Sequence, residues 1–253
     1  MQSLAEIADD LAAGRTTSRA LTEAALARID DPAGEGARAF IKVYHEAALE
    51  CAKASDQARA HGIVPSPLAG IPVSIKDLCD VAGEVSLAGS SVRQDAEAAT
   101  KDAPAVARLR AAGAVITGRT NMVEFAMGAP GTNAHYGTPK NAWDRATGRI
   151  PGGSSSGAAV SVTDGMAAAA LGTDTAGSVR IPAALCGLAG FKPTARRVPT
   201  EGIYPLSRTL DSVGPLAPTV ACCALVDAVF AGAAPPELTP RPLQGLRLAV
   251  PKY

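Results

Sequence analysis

Apolar positions recur with helical spacing over residues 3–13 (SLAEIADDLAA) and stop at Gly14. They resume in a second helix, capped by Thr17 and Ser18, that runs to about Ile29. Residues 30–36 read as a turn and 47–60 as a polar-faced third helix, so a helical segment is expected over about 1–65. The pattern then changes. LAGIPVSIKD, at 68–77, is a short run of branched apolar residues that predicts a buried strand with Lys76 at its end. Small residues over 83–91 predict a loop, 103–112 a helix with Gly113 just past its end, and AVITG a strand after it. Residues 130–153 are irregular and dense in Gly, Pro, Asn and Thr, and loops of that length inside a domain usually serve function. A helix is expected over 156–166, a core strand over 167–173, an apolar helix over 220–230, a linker over 235–242, and a strand in LRLAVP at 246–251. Helices alternating with apolar strands predict an α/β fold, with a catalytic core over about 66–233 and a linker plus the start of a further strand over 234–253.

Composition narrows the class. With 47% hydrophobic and 19% charged residues in 253, the chain can bury a sizeable core and is not a disordered one. Lys plus Arg and Asp plus Glu number 24 each, so no global field draws it to nucleic acid or anionic lipid. No apolar run is long enough to cross a bilayer, and the acidic start MQSLAEIADD does not read as a signal peptide. A cytoplasmic enzyme acting on a small molecule or an amide bond is the expectation. The five cysteines are odd in number and show no CxxC, which predicts reduced core thiols. His45, His61 and His135 lack metal-ligand spacing, so no metal and no cofactor are expected.

The unusual polarity lies between Pro151 and Thr194, where GGSSSG and GTDTAGS each set serines on a glycine-permitted backbone. Phosphate loops also use Gly-Ser runs, but GGSSSG lacks the Lys-Ser/Thr ending, and no GxGxxG opens a strand–helix unit. A nucleophilic serine needs a base. GxSxG is absent, and a histidine-based triad would have to use His135. The other candidate is Lys76, which ends an apolar strand instead of lying on a charged face, although strand-end lysines are commonly snorkelling surface residues.

These segments resemble the amidase signature family: SIKD around Lys76, GGSSSG from Gly152, GTDTAGSVRIPA from Gly172 and GLAGFKPT after it. AGIPVSIKD, GAVITGRTNMVEFAMG, NAHYGTPKNAWD and YPLSRTLDSVGPLA continue the resemblance in order, from about Leu68 to Val220. It implies a mixed β-sheet core flanked by helices, and a Ser–cis-Ser–Lys triad falling on Ser178 (nucleophile), Ser154 (relay) and Lys76 (base). It implies a cis peptide in the Gly-Gly-Ser-Ser turn. It also implies an oxyanion hole from the backbone N–H groups of Thr175, Ala176, Gly177 and Ser178. Ala176 stands where the family commonly has a second glycine, which would be strained if that position needed φ > 0. Ser156 likewise replaces a commoner glycine. Asp174 and Arg180 flank the nucleophile and are read as a pair bracing its loop, with Ser155 as further support. Asn121, Glu124 and Tyr136 resemble positions near the cleft but read equally as fold-bracing residues, and Asp211 reads as structural.

The resemblance implies hydrolysis of a linear amide C–N bond through an acyl-enzyme, with a small-molecule amide as the partner of the site. Two rivals stand beside it. NMVEFAMG is similar to the glutaminase component, of the A type, in the tRNA-dependent amidotransferase, whereas GIYPLSRTLDSVGPLA reads more like free-standing amidases. The third reading is an incomplete or accessory domain, because family members are considerably longer; a missing C-terminal portion or a second copy of the chain would then be the protein partner.

Overall fold

The computed structural model describes residues 1–239, 242–247 and 249. In chain order the elements are α1 (Leu4–Ala12), α2 (Ser18–Asp30), α3 (Gly36–Ala39), β1 (Phe40–Val43), α4 (His45–Ala60), β2 (Pro72–Lys76), α5 (Pro104–Ala111) and β3 (Val115–Thr120). After a single 3-10 turn at Glu124–Ala126 come α6 (Ser156–Thr163), β4 (Ala169–Asp174), α7 (Arg180–Leu185), β5 (Ala189–Gly190), β6 (Ser212–Ala217) and α8 (Val220–Ala231). The strands form one mixed sheet in the order β1-β3-β2-β4-β6-β5. Its centre, β3-β2-β4, is parallel, while β1, β5 and β6 pair antiparallel to their neighbours.

Local chemistry fixes the element ends. Ser3 and Glu6 exchange backbone and side-chain hydrogen bonds in a capping box that starts α1. Thr17 caps α2 and Thr219 caps α8, each accepting a backbone N–H in the first turn. Gly232, at φ 67°, closes α8 in the left-handed conformation.

The central strands are buried along their whole length because both faces of the sheet are covered. On β4, Ala169 and Leu171 point into a cluster with Val73 and Ile75 of β2, α5 and α8, while Ala170 points into the opposite cluster, with α2 and α6. The same alternation sends Ser74 of β2 to the α6 side, where its hydroxyl meets that of Ser161 at 2.9 Å, and Lys76 follows it two residues on.

Several expectations are corrected. The N-terminal segment is not wholly helical: β1 lies inside it, a short edge strand on β3. Between Ser178 and SVGPLA, for which no element is expected from the sequence, lie α7 and β5, and SVGPLA itself is the strand β6. Cys79, Cys186, Cys222 and Cys223 are buried free thiols as expected, but Cys51 is exposed on α4. Of the strand expected over 246–251, residues 248, 250 and 251 lie outside the described residues.

Leu171 is 1% exposed at the middle of β4. Leu171→Ala is expected to cost about 2–5 kcal/mol through lost burial and a residual cavity, read as a lower urea midpoint at unchanged m-value.

Candidate active site

The strand ends and turns at one edge of the β2–β4 pair converge on a buried amine. Lys76 ends β2 with 0% exposure, and its Nζ donates to Ser154 Oγ at 2.7 Å and to Thr173 Oγ1 at 2.9 Å. No carboxylate among the described residues pairs with it. Burial therefore dominates its titration and pushes the amine down to about 7, against which the more distant Cys79, Asp174 and Asp211 only partly pull.

Ser154 is carried by the turn that leads into α6. The peptide bond Gly153–Ser154 is cis, as the resemblance implies. The turn is clamped by the long loop before it: Gly153 N–H donates to Ala129 O at 2.7 Å, Gly152 N–H to Pro130 O, and Val123 N–H to Ser154 O. The two segments lie so close that a Cβ on Gly131 would meet Gly152 O at 2.3 Å. The irregular 130–153 stretch thus shapes the Ser154 turn.

Ser178 sits in the loop between β4 and α7, held by one carboxylate. Asp174 accepts the N–H groups of Gly177 (2.8 Å), Val179 (3.1 Å) and Arg180, and both Nε and Nη2 of the Arg180 side chain. Burial alone would raise the Asp174 carboxyl, but Arg180 and these N–H groups outweigh it and hold it below its ordinary value. Asp174 and Arg180 are therefore the loop brace expected of them. Ser155 ties the two serine turns together, its N–H donating to Ser178 O and its hydroxyl to Thr173 O. On the far side, Asp211 accepts the Thr175 hydroxyl and the N–H groups of Leu206 and Ser207, which fits its structural reading.

The four N–H groups expected to form an oxyanion hole do not all point the same way. Gly177 N–H is directed to Asp174, whereas the N–H groups of Thr175, Ala176 and Ser178 have no acceptor among the described residues. These three are the N–H groups of the set left without a protein acceptor. The left-handed position in this loop is Gly177, at φ 127°, and Ala176 is not among the residues with positive φ, so alanine is accommodated there without backbone strain.

Lys76 and Ser154 are joined directly, but no hydrogen bond links the hydroxyls of Ser154 and Ser178. The Ser178 hydroxyl has no partner among the described residues, and the residue keeps 9% exposure where Lys76 and Ser154 have none. The lysine is sealed, and of the three side chains only that of Ser178 belongs to a residue with any exposure. Thr173, the second acceptor of Lys76, is not marked out by the sequence, although it lies inside GTDTAGS. Asn121 braces the fold through Arg38 O and Gly137 O, and Tyr136 bonds Ser90 O. Glu124 joins Ser90 and His135, and the two ring nitrogens of His135 meet Ser91 and Glu124, neither of them a serine of the candidate site.

The model of the amidase family matches residues 20–251, and the chain belongs to that family. It is 44% identical over 255 residues to the A-type component of the glutamyl-tRNA(Gln) amidotransferase of Chloroflexus aggregans, a match covering 96% of this chain and 51% of that one. Among solved structures it is similar to the peptide amidase of Stenotrophomonas maltophilia, at 38% identity and TM-score 0.82, over 92% of this chain and 48% of that one. It is also similar to the corresponding glutamyl-tRNA(Gln) amidotransferase component of Thermotoga maritima, at 33% identity and TM-score 0.69, over 84% and 43%. The chain spans about half the length of the curated relatives it matches. No helix among the described residues is long and apolar enough to cross a membrane.

The low titration point of Lys76 has a thermodynamic signature. Between about 7 and the ordinary 10.5, the unfolded chain holds a proton that the folded one does not, so this residue makes stability rise with pH across that window. Relative to the parent, Lys76→Met is expected to lose stability progressively from pH 7 to pH 10.5, by on the order of a few kcal/mol in total, in paired denaturant titrations. A difference that stays flat across the window would mean that the folded-state amine titrates normally.

Proposed function

We propose that the chain carries the chemistry of amide C–N bond hydrolysis, with Ser178 as nucleophile, Ser154 as relay and Lys76 as base. The observation that carries this reading is the sealed Lys76 amine, bonded to Ser154 in a turn whose next residue, Ser155, donates its N–H to Ser178 O. With the amine at about 7, a substantial fraction is neutral near neutral pH and can take a proton. As substrate enters, the Ser178 hydroxyl closes on Ser154 Oγ, an approach that commonly tightens only with substrate bound. Ser178 Oγ then attacks the amide carbonyl while its proton passes to Ser154 and the Ser154 proton passes to Lys76 Nζ. The carbonyl oxygen becomes an oxyanion facing the N–H groups of Thr175, Ala176 and Ser178, which are fixed before reaction and so need no reorganisation. When the C–N bond breaks, the proton returns along the same path to the leaving nitrogen. Water, deprotonated through the same relay, then releases the carboxylic acid from Ser178.

A glutaminase role like that of the amidotransferase component is the second reading. It is supported by the 44% identity to such a component, and it would place the same chemistry in a protein complex. The peptide amidase, at 38% identity and the higher TM-score of 0.82, supports the free-standing reading. Glutamine turnover that requires an added partner protein would favour the complex.

Turnover of simple amides by the chain is expected to fall roughly 1,000-fold or more in Ser178→Ala and in Lys76→Ala. Full activity in either variant would remove that residue from the mechanism. Below about pH 7, kcat/KM is expected to fall about tenfold per pH unit as Lys76 takes up its proton, and to level off above it. A profile flat from pH 5 to 9 would exclude a lysine base.

A further inference from the structure

A polar cavity of about 540 Å³ lies between the loop that follows β2 and the segment 200–211. It adjoins the proposed site on two sides. Asp211, in its wall, accepts the Thr175 hydroxyl three residues before Ser178. Its other wall is pinned to the residues just after Lys76, through the Cys79–Ile203 bridge and the Tyr204 N–H to Leu78 O bond.

The charge in this cavity is unbalanced in a particular way. Each of its three carboxylates already has protein donors: Glu201 pairs with Lys101 at 2.6 Å, Asp80 accepts the Ser86 hydroxyl at 2.7 Å, and Asp211 accepts Thr175, Leu206 and Ser207. The two guanidinium groups have no carboxylate partner among the described residues. Arg93 is fixed from two directions, its Nε donating to Ser86 O at 2.7 Å and its guanidinium carbon lying 4.5 Å from the Tyr204 ring centroid. Tyr204 in turn packs on Phe125. The terminal nitrogens of Arg93 have no acceptor among the described residues. Arg208 forms no ion pair or hydrogen bond among them either, and it lines the same cavity. The cavity therefore offers unused donors in planar forks, the geometry that matches a carboxylate in two-point contact.

From this we infer that the substrate is an anionic amide, whose own carboxylate is taken by Arg93 and Arg208 while its amide carbonyl reaches Ser178. The inference rests on the amidase reading above and adds its substrate class. Arg93, already immobilised by Ser86 and Tyr204, loses little freedom on binding and acts as the anchor. Arg208, which is exposed, closes over the ligand from the rim.

The test compares monoamides of dicarboxylic acids (succinamate, glutaramate, adipamate) with neutral amides of equal length (butyramide, valeramide, hexanamide). At least one of the anionic series is expected to exceed its neutral counterpart in kcat/KM. Arg208→Gln and Arg93→Gln are expected to lower kcat/KM for that amide roughly 10- to 100-fold, chiefly through KM, and to leave the neutral amide within about twofold. Arg208→Gln is the cleaner arm, because the exposed side chain makes no hydrogen bond or ion pair among the described residues. Equal losses on both series, or no loss on either, overturn the proposal. Calorimetric binding of the same monoamides to Ser178→Ala separates the two readings. Binding that is lost in Arg208→Gln, without turnover by the parent chain, sinks the hydrolysis reading and keeps the anion site. Turnover with no dependence on either arginine does the reverse.

Discussion

The rest of the site depends on keeping the Lys76 amine dry. An ammonium in that position would have two hydroxyls for company and no counter-ion among the described residues, so the fold tolerates the residue by letting it give up its proton near neutrality. Everything that excludes water from it is structural: the central place of β2 in the sheet, α6 lying over its polar face, and the Ser154 turn pressed against 129–131. The wall has little slack, since the Gly131–Gly152 approach has no room for a Cβ. Packing, more than any charge pair, sets how this amine titrates.

Two other groups show how carboxylates are used around it. Asp77, next along the chain, is itself buried and carries a full salt bridge to Arg119 at 2.8 Å, so its charge is spent on the fold. Asp174 is committed to five donors of its own loop and of Arg180. Neither is free to pair with Lys76, which would raise the titration of the amine and end its usefulness as a base. Both acids serve as scaffolding.

Much of this is legible in the chain, and the reasons differ by element. β2 and β4 announce themselves as short apolar runs because both of their faces are covered. β6 does not, because Gly214 and Pro215 read as a turn. Gly214 is there for space, since a Cβ would meet Phe191 O at 2.2 Å, and Pro215 contributes a carbonyl to the Phe191 N–H. β1 is four residues long at the sheet edge, too short to show a period. Lys76, Ser154 and Ser178 are found through their ordered neighbours, and not through any spacing of their own. What stays hidden are partners chosen by loop geometry: Thr173 beside the amine, and the diversion of Gly177 N–H to Asp174.

An amine that gives up its proton near neutral pH is also a good nucleophile, and a cell is full of electrophiles that attack such groups: carbon dioxide, cyanate, reactive aldehydes. The enclosure that unprotonates Lys76 also bars these molecules from its lone pair, since the side chain has 0% exposure. Of Lys76, Ser154 and Ser178 only Ser178 keeps any exposure, so it is the one of the three that an acylating reagent meets first, in keeping with the nucleophile's role proposed for it. Shielding and activation are here the same act of burial.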